Sequence, residues 1–223
     1  MRRFRAVLFD LDGTLLDTLR DLGESVNRML EARGLPVHPI EAYRYLVGDG
    51  AAMLITRALP EHQRDPNTIH AALNEYRAIY EKNWNVHTRL YDGVSDLLDA
   101  LVARGFRLGI LSNKPHAMTL KCVEGYLSRW PFACVLGQRE DIARKPHPAG
   151  ALQAAAQMSV PPEEVFYLGD TSTDMQTARA AGMFAAGAAW GFRTADELWA
   201  SGAQAVVERP DEVLPLIERL QND

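Results

Sequence analysis

Cysteine is scarce in this 223-residue chain. Cys122 and Cys134 are too few for a disulfide framework and lack the Cys-x-x-Cys spacing of a zinc site, so both are expected to be buried, reduced thiols. Runs of lysine or arginine are missing too. With 24 basic against 29 acidic residues the net charge is −5, which argues against a nucleic-acid partner. No apolar run comes near the roughly 20 residues needed to cross a bilayer, so no membrane partner is expected. The opening Met1-Arg2-Arg3-Phe4-Arg5 carries the charge of a secretory signal, yet the apolar stretch behind it is short and breaks at Asp10. These absences together describe a soluble, cytoplasmic protein. The histidines show no helical pair spacing for a metal and receive no role.

What the chain does have begins at Val7-Leu8-Phe9-Asp10-Leu11-Asp12-Gly13-Thr14-Leu15, where an apolar run stops at two carboxylates two residues apart. A buried strand ending in Asp-x-Asp-Gly presents one carboxylate for attack, a second beside it, and a glycine where backbone approaches a ligand closely. Such an arrangement suits phosphoryl transfer through an aspartyl phosphate. Asp10 is the candidate nucleophile and Asp12 the candidate acid and base, protonating the leaving oxygen and later taking a proton from water. Two surface aspartates closing a strand-to-helix turn would explain the same residues without chemistry.

After Asp17 the pattern turns helical and stays so to about residue 83. Ala51, Leu54, Ile55, Ala58 and Leu59 make one apolar stripe, and Asp65-Pro66 reads as a cap and first helical residue opening a helix through Tyr80. From Tyr91 the chain alternates: a helical face from Val94 to Val102, a strand from Phe106 to Leu111, then helices near 116–127 and 148–158 with strands near 133–136 and 165–168. Met183 to Ala189 and Ala205 to Val207 read as weaker strands. Alternation of this kind predicts an α/β fold with a doubly wound parallel sheet, assembled from residues 1–16 and 85–223 and interrupted by an all-helical insertion over 17–84.

Three further motifs fall near the carboxyl ends of predicted strands, where open α/β sheets place their ligands. Ser112-Asn113 offers a hydroxyl and an amide to phosphate oxygens, although a helix N-cap explains Ser112 equally well. Lys145, fixed by the following Pro146, can neutralise charge on Asp10 and on a transferring phosphoryl group; otherwise it is a solvated surface lysine. Gly169-Asp170-Thr171-Ser172-Thr173-Asp174 supplies two carboxylates four residues apart, with a capping aspartate as the plainer reading. Asp170 is a candidate metal ligand beside Asp10 and the main-chain carbonyl of Asp12, and Asp174 is placed to orient it or hold a metal-bound water. Oxygen-only donors point to Mg²⁺.

Taken as a set, Asp10-x-Asp12-Gly13-Thr14, Ser112, Lys145 and Gly169-Asp170-x-x-x-Asp174 resemble the four motifs of the haloacid dehalogenase superfamily, in order and across nearly the whole chain. The resemblance implies a Rossmann-like core, and makes the helical insertion similar to the mobile cap of that family. Within the superfamily, the Gly34-Leu35-Pro36 turn, Val47-Gly48-Asp49-Gly50, Ser112-Asn113-Lys114-Pro115 and Arg144-Lys145-Pro146-His147-Pro148 look most like phosphoglycolate phosphatases. By that resemblance Gly13 and Thr14 help bind phosphate, and Thr14 helps position the catalytic pair.

Substrate choice is expected in the cap. Asp49 lies in a Gly-rich turn that could close over the site, and Arg20 or Arg57 could meet a substrate carboxylate, against the alternative of an ordinary turn and solvated arginines. Trp190-Gly191-Phe192 reads as packing at the sheet edge. The expectation is a Mg²⁺-dependent monoesterase for a small soluble phosphate ester, monomeric or homodimeric. Its rivals are a β-phosphoglucomutase-like phosphomutase, a phosphatase for another ester or pyrophosphate, and a non-catalytic binding protein on the same fold.

Overall fold

The computed structural model describes residues 4–222. The chain divides into two compact units, one running to Leu16 and resuming at Leu90, the other spanning Asp17–Arg89. In chain order, β1 (Ala6–Phe9) and the short β2 (Leu16–Asp17) lead into the inserted unit of α1 (Leu19–Ala32), α2 (Tyr43–Leu46), α3 (Ala51–Ala58) and α4 (Pro66–Asn83). After β3 (Arg89–Leu90) come α5 (Val94–Ala103), β4 (Arg107–Pro115), α6 (His116–Tyr126), β5 (Phe132–Gln138), α7 (Ala149–Gln157) and β6 (Val165–Gly169). The chain closes with α8 (Ser172–Ala180), β7 (Phe184–Ala188), α9 (Ala195–Ala200), β8 (Ala205–Val207) and α10 (Val213–Asn222).

The first unit is built on a six-stranded sheet of order β5-β4-β1-β6-β7-β8, parallel throughout. Its central strands are apolar without alternation because helices cover both faces, and all four residues of β1 are buried. Ala6, Leu8 and Tyr167 pack with Ala151, Ala154, Met158, Met175 and Ala178 of α7, α8 and the turn after α7 in one buried cluster. Small alanines let those helices lie close to the sheet. Phe4 meets Phe166 edge-on at 5.5 Å, and Phe166 stacks on Phe184 at 5.3 Å, closing the strands' amino ends. Strand order reverses at β1: the chain moves outward through β4 and β5, then returns to β6 on the other side. A crevice at the carboxyl ends of β1, β4 and β6 follows from that reversal.

One expectation needs correction here, and the compact helical unit ends a few residues later than the insertion was expected to. The strand predicted to stop at Leu111 continues through Ser112, Asn113 and Lys114 to Pro115, with a register irregularity against β5 between Leu111 and Pro115. Ser112 therefore is no helix cap, since α6 begins at His116. The unit boundary expected at residue 84 lies at Arg89. Its cause is Asp21 on α1, whose buried carboxylate accepts hydrogen bonds from the His87 and Thr88 amides and the Thr88 hydroxyl, so that residues 87–88 stay with the helical unit.

Within that unit α1 packs against α4, and α3 against α4. The amphipathic faces meet through Val26, Met29, Leu30, Ile55, Ala72 and Tyr76, all buried, and Tyr76 stacks on Tyr80 at 5.6 Å. Asp65 caps α4 by accepting from the Asn67 and Thr68 amides, with Pro66 at the first helical position.

Candidate active site

Every core residue singled out in the sequence belongs to the α/β unit. Asp10 follows β1 directly, and its amide donates to the Leu168 carbonyl at 3.0 Å, tying its position to β6. Lys145 stands at the centre: Nζ lies 2.6 Å from Asp174 Oδ1 and 3.0 Å from Asp10 Oδ1, and donates to the Leu111 carbonyl at 3.1 Å. The contact to Asp10 is a buried ion pair. Asp174, third residue of α8, forms a capping box with Thr171 and accepts from the Thr171 amide and hydroxyl and from the Tyr167 hydroxyl. With Lys145 added, its oxygens are fully engaged.

Asp170, at the end of β6, is held from two sides. The Thr14 hydroxyl donates to Oδ1 at 2.9 Å and the Phe192 amide to Oδ2 at 2.8 Å. Gly13, at φ +87°, makes the close approach possible: a Cβ there would stand 2.1 Å from Asp170 Oδ2. Gly191 is equally constrained, since a Cβ would lie 2.2 Å from Asp170 Cβ and 2.4 Å from the Gly13 carbonyl oxygen. Trp190 Nε1 donates to the Thr14 carbonyl at 3.0 Å. The segment Trp190-Gly191-Phe192 thus braces the site instead of filling a sheet edge, because β8 pairs outside β7 and leaves the loop after β7 to fold over Asp170.

The Asn113 amide bridges to the Lys145 turn, accepting from the Lys145 amide at 2.9 Å and donating to the Lys145 carbonyl at 3.1 Å. Its side chain therefore sets the path of the lysine loop. Ser112 is buried beside it, with Oγ accepting from the Lys114 amide at 3.3 Å.

The haloacid dehalogenase-like hydrolase family model matches residues 7–188. This chain belongs to the haloacid dehalogenase-like hydrolases. Among its relatives, the phosphoglycolate phosphatase of Nitrosospira multiformis is 33% identical, covering 96% of each chain. That of Xylella fastidiosa is 37% identical, covering 92% of this chain and 90% of its own. In three dimensions the hydrolase resembles a haloacid dehalogenase-like family protein of Streptococcus pneumoniae, with TM-score 0.86 at 23% identity, covering 97% of this chain and 99% of that one. It also resembles a protein of Lactobacillus delbrueckii subsp. bulgaricus, with TM-score 0.91 at 27% identity, covering 96% and 98%.

The electrostatics of this hydrolase follow from burying three carboxylates with one ammonium. Burial pushes the Asp10 carboxyl up to about 7; Lys145 opposes the shift and Asp174 reinforces it. Asp170 is raised by burial and by the negative charges of Asp10 and Asp174, against the hydrogen bonds from Phe192 and Thr14. Burial alone would lower Lys145, but Asp10 and Asp174 outweigh it and hold the ammonium well above its usual range. A divalent cation fits the imbalance. Asp10, Asp170 and Asp174 each offer an oxygen within 4.8 Å of the others, all buried. Asp174 already takes Lys145, the Tyr167 hydroxyl and the Thr171 amide and hydroxyl on its two oxygens, whereas Asp10 meets Lys145 alone, which favours Asp10 and Asp170 as the holders. Hard carboxylate donors suit a hard divalent cation better than a softer metal.

The sequence by itself assigns no role at the site to Tyr167, Lys114 or the Trp190 segment. Tyr167 sits inside an apolar strand and reads as core. Lys114 was legible only if β4 had been carried past Leu111, since strand alternation then sets it on the same face as Ser112. The candidates Arg20, Asp49 and Arg57 lie in the helical unit. Arg20 pairs with Glu24 at 2.7 Å, while Arg57 pairs with Asp49 at 2.5 Å and donates to the Leu46 carbonyl. Cys122 and Cys134 are both buried free thiols, pushed up to about 11 by burial.

Proposed function

We propose that this hydrolase is a Mg²⁺-dependent phosphatase of a small phosphomonoester, 2-phosphoglycolate foremost, working through an aspartyl phosphate on Asp10. The observation that carries the reading is the Asp10 carboxylate at the crevice, with Lys145 3.0 Å away, Asp170 beside it and Asp12 two residues on. The relatives named phosphoglycolate phosphatase support the substrate class.

An Asp10 oxygen attacks phosphorus and forms the new P–O bond as the bond to the leaving oxygen breaks, and Asp12 protonates that oxygen. In the second half Asp12 takes a proton from water, whose oxygen attacks the phosphorus and returns Asp10. Lys145 offsets the charge gathering between Asp10 and the phosphoryl oxygens, and Asp174 with Tyr167 holds Lys145 in place. Ser112 and the backbone at Gly13 serve the phosphoryl oxygens. Asp10, Asp170 and the Asp12 carbonyl would hold Mg²⁺, which would supply charge neutralisation and polarise the phosphoryl group. The helical unit 17–89 selects the substrate, with Arg20, Asp49 and Arg57 as its polar candidates, and the enzyme acts in the cytoplasm.

Phosphate release across phosphoglycolate, sugar phosphates, nucleotides and pyrophosphate, with Mg²⁺ or EDTA and beside Asp10→Asn, tests the reading. Expected is metal-dependent turnover that vanishes in the variant. Full activity of Asp10→Asn would refute it, and isomerised sugar phosphate without free phosphate would make the protein a mutase.

A further inference from the structure

Lys114 lies outside the four motifs, yet its Nζ reaches both oxygens of Asp12, at 2.9 and 3.0 Å. The side chain is only 3% exposed against 18% for Asp12. An exposed lysine on such a pair would be mobile; a buried one is held by its surroundings. Those surroundings are built for it. Lys114 falls in the irregular stretch of β4 between Leu111 and Pro115, where the pairing with β5 shifts and the strand can re-aim a side chain. The Lys114 carbonyl accepts from the Thr119 hydroxyl at 3.1 Å, and on β5 a Cβ at Gly137 would stand 2.8 Å from that same carbonyl. These contacts locate the backbone, and burial confines the side chain. No other side chain of the described residues hydrogen-bonds the Asp12 carboxylate.

The geometry points to Lys114 as a positioning residue for Asp12. Gripping both oxygens fixes the plane and direction of the carboxylate, so that its proton travels to the leaving oxygen along one path. This inference rests on the reading of Asp12 as the group that protonates that oxygen. In that step the Asp12 O–H bond breaks as the P–O bond to the leaving group breaks. The proton joins the departing oxygen, which keeps the P–O electron pair, while the Asp10 oxygen completes its bond to phosphorus.

The consequence depends on the leaving group. A p-nitrophenolate leaves without help, whereas an alkoxide needs the proton, so misplacing the donor harms the second far more than the first. The experiment compares kcat/KM for p-nitrophenyl phosphate, phenyl phosphate and 2-phosphoglycolate in the wild-type enzyme, Lys114→Met, Lys114→Gln, Asp12→Asn and the double variant Asp12→Asn/Lys114→Met. Because kcat/KM extends only to release of the alcohol, dephosphorylation of Asp10 does not enter. Expected for Lys114→Met and Lys114→Gln is a loss of about 10- to 100-fold on 2-phosphoglycolate, part of what general acid catalysis typically contributes, and a much smaller loss on p-nitrophenyl phosphate. Adding Lys114→Met to Asp12→Asn is expected to cost little more, since the lysine acts through the aspartate. Equal losses on all three esters in both lysine variants, or additive losses in the double variant, would overturn the inference while leaving Asp12 its role. If Asp12→Asn itself shows no dependence on the leaving group, the reading of Asp12 fails, and the inference with it.

Discussion

Lys145 and Asp174 form a buried ion pair with Nζ 2.6 Å from Oδ1, side chains 3% and 0% exposed. The ammonium also faces Asp10, and the carboxylate also takes the hydroxyls of Tyr167 and Thr171. Removing the one ammonium that faces both carboxylates leaves buried negative charge uncompensated, which typically costs roughly 3–5 kcal/mol. Lys145→Met is therefore expected to be destabilised by about that amount at pH 7.5 in EDTA, by urea unfolding, and to lose phosphatase activity by at least ~100-fold.

Asp10 predicts a pH dependence in the metal-free protein. Its folded-state carboxyl is raised from 3.8 to about 7, so the unfolded chain releases this proton first. The contribution to stability is fully present below about pH 4 and lost as pH rises toward about 7. Asp10→Asn, which cannot ionise, is expected to raise the melting temperature in EDTA at pH 7.5 by several degrees, and to leave it nearly unchanged at pH 4. Mg²⁺ should raise the wild-type melting temperature at pH 7.5 in proportion to the logarithm of its concentration, and do so far less in the variant.

Gly191→Ala tests the loop that braces the site. The added methyl would stand 2.2 Å from Asp170 Cβ and 2.4 Å from the Gly13 carbonyl oxygen, with backbone on one side and no flexible chain end to yield. Overpacking of this kind typically costs about 1–3 kcal/mol. Because the displaced residue is Asp170, half-maximal activity is also expected to require roughly 10-fold more Mg²⁺ or above, a shift in line with losses at residues that orient metal ligands. A Mg²⁺ titration of activity checks it.

Asp21→Ala concerns the helical unit alone. The carboxylate is 2% exposed and accepts from the His87 amide, the Thr88 amide and the Thr88 hydroxyl. Its removal strands buried donors at about 1–3 kcal/mol. Loss of hydrogen-exchange protection at the amides of His87 and Thr88 is expected, with protection of β1 and β6 retained.

Much of this molecule is legible one residue at a time. The apolar run that ends at Asp10, the helix-period stripe from Ala51 to Leu59, the Asp65-Pro66 cap and the alternation after Tyr91 identify a parallel α/β core with a helical insertion, because strand and helix periods are local properties of the chain. Asp10, Asp12, Lys145, Asp170 and Asp174 stand out for the same reason: carboxylates and an ammonium at strand ends are costly to place and easy to see. What no local pattern states is who faces whom. The reversal of strand order at β1 brings Lys145 to Asp174 across 29 residues, Lys114 to Asp12 across 102, and Phe192 to Asp170 across 22. Tyr167 is hidden in an apolar strand, and Lys114 in the polar half of β4, where the register against β5 shifts. Composition and periodicity decide which residues are buried and in what element. Which buried charges share a partner is decided by the order of strands in the sheet, since only the closed fold sets the distances over which those charges act.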